Sequence, residues 1–406
     1  MMKAISTLAA LIALLPAGLM PQFLGHEFII LGHEFISPTI ADARSAAMGR
    51  TEVLSTVSSN GMFSNPAALA MLPSPQGQLG GRMLMGLIGD EQAEESYDSY
   101  SSTLTPQFSF NHLSFAMPYS VTGSNVNLAF GIGYRTYFDW EANFESNWSL
   151  DDFEISTEGQ TRGGLKMITP ALAVNLRDQF FIGAAFNQSV SGTISEEFKD
   201  TGFTGSTVTS TTDIEHSASF LQVGAIARIS PRLTLGYMFR PAFNWIFEPA
   251  EYTEDGVTTT VEDGWELTIP SVMGIGVSLQ TSHKGLITAE YQTRNFSDLE
   301  DDGEKQEGID NGACFRVGIE NQGPTSWRFG FFRDAVFMTD EDDTMPKSQM
   351  GLTLGFGSKL GGLHLDTFSE FSLVSREYEG YDGFDYVIYE DKFTIIRLGL
   401  SLTTEF

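Results

Sequence analysis

The sequence is poor in cysteine, histidine and basic residues. The only cysteine, Cys314, cannot form an intramolecular disulfide or supply a cysteine-based zinc site. Six histidines leave little material for metal chemistry, and we expect neither a metal site nor a cofactor. Lysine and arginine number 23 against 52 acidic residues, giving a net charge of −29. This acidic excess argues against nucleic-acid binding, which needs a basic surface.

Long apolar runs are also missing after the N-terminus. The run from Ala4 to Met20 follows Lys3 and is typical of a secretory signal, with a short membrane anchor as the alternative. The small residues Ala41 and Ala43 predict cleavage after Ala43, so that residues 1–43 form the leader. The alternative is an earlier cleavage near residue 17. Beyond residue 43 no apolar run reaches 18 residues, and no transmembrane helix is predicted.

Alternation of apolar and small or polar residues dominates residues 77–406. Between positions 348 and 357, Leu352 and Leu354 share an apolar face, whereas Gly351 and Gly355 lie on the opposite face. A period of two is the signature of a strand. Without transmembrane helices, a membrane protein must close its sheet into a barrel so that every backbone group is paired. We therefore predict an all-β, 14-stranded antiparallel transmembrane barrel; a soluble β-sandwich is the alternative.

The predicted strands are joined by connections of alternating length, as in outer-membrane barrels. They lie near residues 77–89, 106–118, 126–138, 164–176, 179–191, 218–230, 232–245, 266–280, 285–296, 311–321, 325–338, 347–358, 361–376 and 391–406. Seven long connections, predicted as loops, hold 39 of the 52 acidic residues. Both termini are then on the periplasmic side. In this register, Leu352→Arg should destabilise the barrel, whereas Gly351 and Gly355 should tolerate polar side chains.

The acidic loops and the C-terminus suggest partners. An acidic rim can simply keep the exposed surface solvated. The alternative is that it binds calcium or bridges through divalent cations to lipopolysaccharide. The acidic run 340–343 has the hard oxygen ligands that calcium prefers, but it lacks the spacing of an EF-hand loop. The chain ends on Phe406 after an alternating strand, similar to the C-terminal signal that outer-membrane assembly machinery recognises. Lipid, lipopolysaccharide and this machinery are therefore expected partners.

Residues 44–76 do not alternate and are predicted to form a plug inside the barrel. Asn65 and Pro66 are typical of the N-cap and first position of a helix, which then continues through Ala67 to Leu72. So short a helix is unstable alone and needs a wall to pack on. The barrel interior is the nearest wall.

The sequence resembles the FadL/TodX family of outer-membrane transporters for hydrophobic compounds, with the PorV-like barrels as a related branch. The N-terminal part of the resemblance lies in Gly49-Arg50 and Asn65-Pro66-Ala67, whereas the stretch Ala46–Gly49 looks equally like the PorV-like branch. Further on, it lies in Ile269-Pro270 before Met273–Leu279, and in Trp327–Phe331. The resemblance implies a hatch over residues 44–76 and a lateral exit into the membrane at a kinked wall strand. Its expected ligand is a small hydrophobic molecule such as a long-chain fatty acid or hydrocarbon. The PorV-like branch implies the alternative, an adaptor that holds a partner protein and transports nothing.

Four inward-facing arginines are candidate ligand anchors, because guanidinium groups bind carboxylates bidentately. They are Arg135, Arg240, Arg316 and Arg328. The alternative is a structural set of ion pairs with Glu290 and Glu320. The alternation also changes phase at Asn111-His112, which predicts a β-bulge that either adjusts curvature or marks an opening in the wall.

The remaining functions fit less well. A phospholipase would need a serine–histidine set, and only His112 with Asn111 and Ser109 or Ser114 offers one. Neighbouring strand residues point to opposite faces, and no G-x-S-x-G motif is present, so we expect no enzyme. A general porin is disfavoured because the plug would block it.

Overall fold

The structure is a computed structural model of the chain. It describes residues 38–40, 42–90, 99–120, 125–150, 153–190, 192–201, 207–254, 257–261, 264–281, 284–305, 311–335, 348–381 and 386–406. None of the helices in these ranges is long and apolar enough to cross a membrane. The acidic run 340–343 lies outside the described residues.

A closed antiparallel sheet makes up most of the molecule. The first strand pairs with both the second and the last, so the sheet has no free edge at its closure. The segments are β1 (Gln76–Asp90), β2 (Ser99–Ser120), β3 (Val126–Asp139), β4 (Ala142–Leu150), β5 (Phe153–Arg162), β6 (Gly164–Leu176), β7 (Phe180–Ser189), β8 (Gly192–Thr201), β9 (Thr207–Arg228), β10 (Leu233–Arg240), β11 (Phe243–Phe247), β12 (Ala250–Glu254), β13 (Val257–Val261), β14 (Trp265–Ile269), β15 (Val272–Gln280), β16 (Gly285–Arg294), β17 (Glu300–Asp301), β18 (Glu304–Lys305), β19 (Gly312–Asn321), β20 (Thr325–Ala335), β21 (Ser348–Leu360), β22 (Leu363–Tyr381) and β23 (Tyr386–Glu405).

Several segments continue one another along the same barrel strand. The joined groups are β3 with β4, β5 with β6, β7 with β8, β10 with β11 and β12, and β13 with β14 and β15, while β17 and β18 form a small separate hairpin. Within the described residues this gives fourteen barrel strands, which confirms the predicted fold.

The register of β21 is the one predicted from alternation. Leu352 and Leu354 are exposed on the outer face, whereas Gly351 and Thr353 are buried on the inner face. The other strands show the same outward row of large apolar side chains. An outer wall of this kind suits lipid rather than water.

Tight turns close one end of the barrel. Between β6 and β7, Arg177 and Asp178 both have positive φ, at 57° and 54°. Two successive left-handed residues are typical of the two-residue hairpin turn that matches strand twist. We call this end of the barrel the lower end and the opposite end, with the long connections, the upper end.

The long upper connections differ from the prediction. Residues 139–163, 192–217 and 246–264 were expected to be loops, but they carry β4, β5, β8, the first half of β9, β12 and β13. These stretches are rich in threonine, serine and glutamate, so they lack the apolar outer face from which the membrane strands were predicted. They are nevertheless paired in register, for example Ser195 with Asp213.

The N-terminal part folds into three short helices. They are α1 (Ala43–Ala47) and the 3₁₀ helices η1 (Ser59–Phe63) and η2 (Pro66–Met71), and a further 3₁₀ helix, η3 (Phe296–Asp298), lies between β16 and β17. The helix predicted after Asn65 is therefore present, but with 3₁₀ geometry.

Candidate functional site

The N-terminal segment, defined as residues 42–75, is enclosed by the barrel wall. Helix α1 packs against β20–β23, and η2 packs against β6, β7 and β9 on another part of the wall. Most side chains of the segment are buried. Its apolar residues form, with inward-facing wall residues, a lower cluster of Val53, Leu54, Met62, Phe63, Ala67, Ala68, Leu69, Ala70, Leu72, Ala116, Ala129, Ala171, Ala173, Phe181, Ala185, Ile226, Met238 and Val272.

Glycines on the inner wall make room for this segment. A Cβ at Gly224 would overlap the side-chain oxygen of Asn65, and a Cβ at Gly355 would overlap Ala47. At Gly351 a Cβ would overlap the ring of Phe332. The expectation that Gly351 and Gly355 tolerate polar side chains is therefore wrong, because the space that alternation assigned to a lumen is filled.

Asn65 joins the segment to itself and to the wall. Its Oδ1 accepts a hydrogen bond from the Ala67 backbone N–H at 3.2 Å, as expected of an N-cap. Its Nδ2 donates to the backbone carbonyls of Val53 at 2.9 Å and Tyr237 at 3.3 Å. Pro66 occupies the first position of η2, and Ala67 is fully buried.

Gly49 and Arg50 anchor the segment on the opposite wall. Both have left-handed backbones, with φ of 69° and 61°. The Gly49 N–H donates to Thr353 Oγ1 at 2.8 Å. The Arg50 guanidinium binds Glu370 at 2.6 Å and Asp334 at 3.1 Å. A left-handed conformation is unfavourable for a side chain such as arginine, so these contacts hold Arg50 in place.

Two of the four candidate anchor arginines belong to buried ion-pair networks. Arg316 binds both oxygens of Asp334, at 2.8 and 3.0 Å. Arg328 binds Glu320 and Asp366, each at 2.6 Å. Because a guanidinium already committed to carboxylates has little left for a ligand, these two match the structural alternative.

The other two candidate anchors have no such partner. Arg135 donates to the Phe63 carbonyl at 2.7 Å, and Arg240 donates to the Tyr137 hydroxyl at 2.5 Å and to the Pro270 carbonyl. Among the described residues, neither arginine has a carboxylate within 4 Å, and the Nε of each has no hydrogen-bond partner. Both are at most 3% exposed.

A small cavity lies between Arg50 of the N-terminal segment and wall residues that include Phe138 and Ile269. Its volume is about 60 Å³. Its lining residues are Pro38, Ile40, Arg50, Phe138, Arg240, Ile269, Pro270, Ser271, Val272, Arg294, Asn295, Phe296, Arg316, Asp334 and Ala335. The cavity therefore presents several guanidinium groups against one carboxylate.

An aromatic cluster lies above the cavity. Strand β9 runs from the upper to the lower end, and its Ile214 and Phe220 belong to this upper cluster, whereas Ile226 belongs to the lower one. The rings of Phe138 and Trp245 are 5.1 Å apart between centroids. The upper cluster comprises Tyr137, Phe138, Trp140, Ala142, Leu165, Met167, Ile194, Phe198, Ile214, Ala218, Phe220, Phe243, Trp245, Phe247, Ala250 and Ile269.

Glu196 faces into this upper cluster and was not found by sequence reasoning. It lies between Ile194 and Phe198, which share its face of β8, and it is 3% exposed. Burial raises the pKa of Glu196 to about 8. A carboxyl group with this pKa is mostly neutral near pH 7, so it adds a hydrogen-bonding group to the cluster without a full charge.

A β-bulge lies at Asn111. Gly80 pairs with His112 and Gly81 pairs with Phe110, so Asn111 is the extra residue on β2. His112 is buried, and neither of its ring nitrogens has a hydrogen-bond partner among the described residues. No serine therefore forms a catalytic pair with it, and the described residues hold no group of metal ligands.

The same stretch of β2 borders a gap in the wall. Strand β2 pairs with β3 as far as His112–Arg135 and with β4 from Thr105–Asn143 upward. Residues 106–111 lie between these two ladders without a described backbone ladder partner on this side. The Phe110 carbonyl instead accepts a side-chain hydrogen bond from Thr136 Oγ1 at 3.0 Å. Phe108 and Phe110 of this stretch are exposed on the outer face.

The start of the described chain closes this gap from the inside. The Thr39 N–H donates to the Tyr137 carbonyl at 2.9 Å, and Asn111 Nδ2 donates to the Ile40 carbonyl at 2.8 Å. Thr39 Oγ1 lies 3.1 Å from Asn111 Oδ1. Pro38 and Ile40 line the cavity at the same time. Thr39 lay in the predicted leader, so sequence reasoning gave it no role.

The fold is similar to that of a FadL homologue, a toluene transporter and a monoaromatic hydrocarbon channel. A FadL homologue from Pseudomonas aeruginosa matches with a TM-score of 0.62 and 14% identity, covering 90% of this chain and 98% of its own. The toluene transporter TodX from Pseudomonas putida gives 0.58 and 11%, covering 90% and 98%. The monoaromatic hydrocarbon channel CymD gives 0.56 and 13%, covering 92% and 98%. No family model and no curated protein matches the sequence.

Proposed function

We propose that this chain is an outer-membrane transporter for small hydrophobic compounds, with residues 44–76 as its hatch. The observation that carries the proposal is the wall gap beside residues 106–111, which Thr39 closes from the cavity side. A gap in the hydrogen-bonded wall next to an internal cavity is a route from the lumen to lipid. The shared fold with the FadL homologue, TodX and CymD supports this interpretation.

The proposed route runs from the upper aromatic cluster to the cavity and then through the gap. A lateral exit is physically favourable for an apolar ligand, which gains about 0.8 kcal/mol for each CH₂ kept out of water. Opening needs Thr39 to leave Tyr137 and Asn111. These hydrogen bonds are neutral and few, whereas charged ion pairs hold Arg50 to Glu370 and Asp334 on the other wall. We therefore expect the start of the segment to move first and the rest of the hatch, including η1, to move after it.

This route requires the mature chain to keep its gap-closing residues. Cleavage after Ala43 would remove Thr39 together with Asp42, which caps α1 by accepting from the Arg44 N–H at 3.1 Å. We therefore favour the earlier cut over the one predicted after Ala43. The intact mass of the mature protein tests this point. We expect a mature chain that starts before Pro38. A mature chain that starts at Arg44 would lack Thr39 and would contradict the proposed closure of the gap.

The adaptor alternative rests on a different observation. Paired charges fill the described lumen around Arg316 and Arg328, as an adaptor would permit. The cavity borders Arg316 of this network, but it is also lined by Arg240, which has no carboxylate within 4 Å among the described residues. This cavity favours transport, because an adaptor needs no internal ligand site.

Uptake by cells expressing the protein distinguishes the two functions. Labelled toluene and a labelled long-chain fatty acid are the probes, and at least one of them should enter faster than in cells without the protein. Asn65→Ala, which removes the hatch contacts, should lower this uptake severalfold, while Asn311→Ala on the exposed rim should not. Unchanged uptake of both probes, together with co-purification of a surface protein, would favour the adaptor instead.

A further inference from the structure

The cavity above the hatch contains an arginine whose surroundings are aromatic rather than acidic. Arg240 points into the cavity, and its guanidinium lies 4.9 Å from the ring centre of Phe243 and 5.8 Å from that of Phe220. It is 3% exposed, and its Nε has no partner among the described residues. A buried charge without a counter-ion is costly, so this position is suited to an anion supplied from outside.

A second arginine without a carboxylate partner lines the same cavity. Arg294, at the end of β16, forms no ion pair within 4 Å among the described residues, whereas Arg50 and Arg316 are neutralised by Glu370, Asp334 and Glu290. Ser271 and Asn295 add hydrogen-bonding groups to the lining. The excess positive charge of the cavity therefore belongs to Arg240 and Arg294.

The size of the cavity limits the part of a ligand that it can hold. By the rule of about 10–15 Å³ for each water, about 60 Å³ accommodates several water molecules or one compact molecule, but not a long alkyl chain. Phe138 lines the cavity, and its ring packs edge to face against that of Tyr137 at 4.7 Å between centroids. Flat rings suit such a wall, because aromatic pairs gain about 0.5–1.5 kcal/mol beyond the area that they bury.

We propose that this cavity binds a compact aromatic carboxylate, with its carboxylate on Arg240 and Arg294 and its ring against Phe138. The site rests on the proposed transport function, of which it names the ligand class. It distinguishes this chain from a channel for neutral hydrocarbons, whose ligands would leave both arginines without a partner. The proposed site also differs from a fatty-acid site, which would need a long apolar groove at this place.

Equilibrium binding to the purified detergent-solubilised protein tests the proposal, with benzoate, toluene and decanoate as probes. Benzoate should bind most tightly. Arg240→Gln should weaken benzoate binding by about tenfold to a hundredfold, the value of a charged hydrogen bond, and leave toluene unaffected. Arg240→Lys keeps the positive charge but not the two-pronged guanidinium geometry, and it should weaken benzoate binding less than Arg240→Gln does. Arg232→Gln, at an exposed lower turn, is the matched control, and circular dichroism checks that each variant is folded.

Two outcomes overturn the ligand class. Toluene binding as tightly as benzoate, with no effect of Arg240→Gln, would leave the arginine without a role. Decanoate binding more tightly than benzoate would show an aliphatic site. The proposed function fails separately: benzoate binding that depends on Arg240, in a protein that speeds the cellular uptake of none of the three probes, would support the site and contradict transport.

Discussion

At the residue scale, alternation predicts which way a side chain points but not what it meets. Arg135, Arg240, Arg316 and Arg328 all face inward as predicted, and all are almost fully buried. Their separation into paired and unpaired groups could not be predicted, because the partners come from distant parts of the chain. The pair between Arg50 and Glu370, for instance, joins residues 320 positions apart. Only closure of the barrel brings such residues together.

Glu52 gives a prediction at the same scale. Burial raises the pKa of Glu52 from 4.5 to about 7, and the nearby charge of Glu290 adds to this rise. The guanidinium groups of Arg316, Arg135 and Arg294 act in the opposite direction, because they favour the charged carboxylate. Between these pH values the docked hatch keeps a proton that the undocked hatch loses. Docking should therefore be strongest below pH 4.5 and weaken until about pH 7.

Hydrogen exchange of the Glu52 and Val53 amides measures this pH dependence. After correction for the intrinsic exchange rate, protection should be greater at pH 5 than at pH 8, and Glu52→Gln should remove most of the difference. An equally large pH dependence in Glu52→Gln would assign the effect to another group.

At the scale of the element, strand positions followed from sequence wherever one face was apolar. Strand β6 matches the predicted residues 164–176, and β1 and β3 differ from the prediction by one residue at their ends. The upper extensions, such as β8 and β13, could not be predicted because they lack the outward row of large apolar side chains from which the membrane strands were predicted. The interrupted pairing between β2 and β3 could not be located from the sequence, although the predicted bulge at Asn111 indicated that this part of the wall is irregular.

Two leucines on β21 test where this element lies in the membrane. Leu352 is 61% exposed in the middle of the strand, and Leu360 is 60% exposed at its lower end. An arginine at mid-membrane costs roughly 2–4 kcal/mol, but only about 0–1 kcal/mol near the interface. The free energy of unfolding in lipid vesicles should therefore fall much more for Leu352→Arg than for Leu360→Arg. Equal losses would mean that β21 is displaced along its axis.

At the scale of the whole molecule, the barrel encloses a segment that its inner glycines accommodate. The fourteen-strand count and the lower turns were predictable, because each rests on a local pattern. The fit between hatch and wall could not be predicted. In the sequence, inward-facing glycines such as Gly224 and Gly330 indicate an open lumen, but in the structure a Cβ at either position would overlap the hatch. Transport then depends on whether this well-fitted segment can move.

A reversible cross-link between hatch and wall measures that movement most directly. Ser59 of η1 and Ser114 of β2 have hydroxyl oxygens 2.8 Å apart, close enough for a disulfide in the double variant Ser59→Cys/Ser114→Cys. Cys314 is replaced by alanine in all variants, and Ser114→Cys alone is the control. Uptake of the labelled hydrophobic compound should stop when the disulfide forms and return on reduction, while the control transports under both conditions. A fully cross-linked protein that transports as fast as its reduced form would contradict the hatch mechanism.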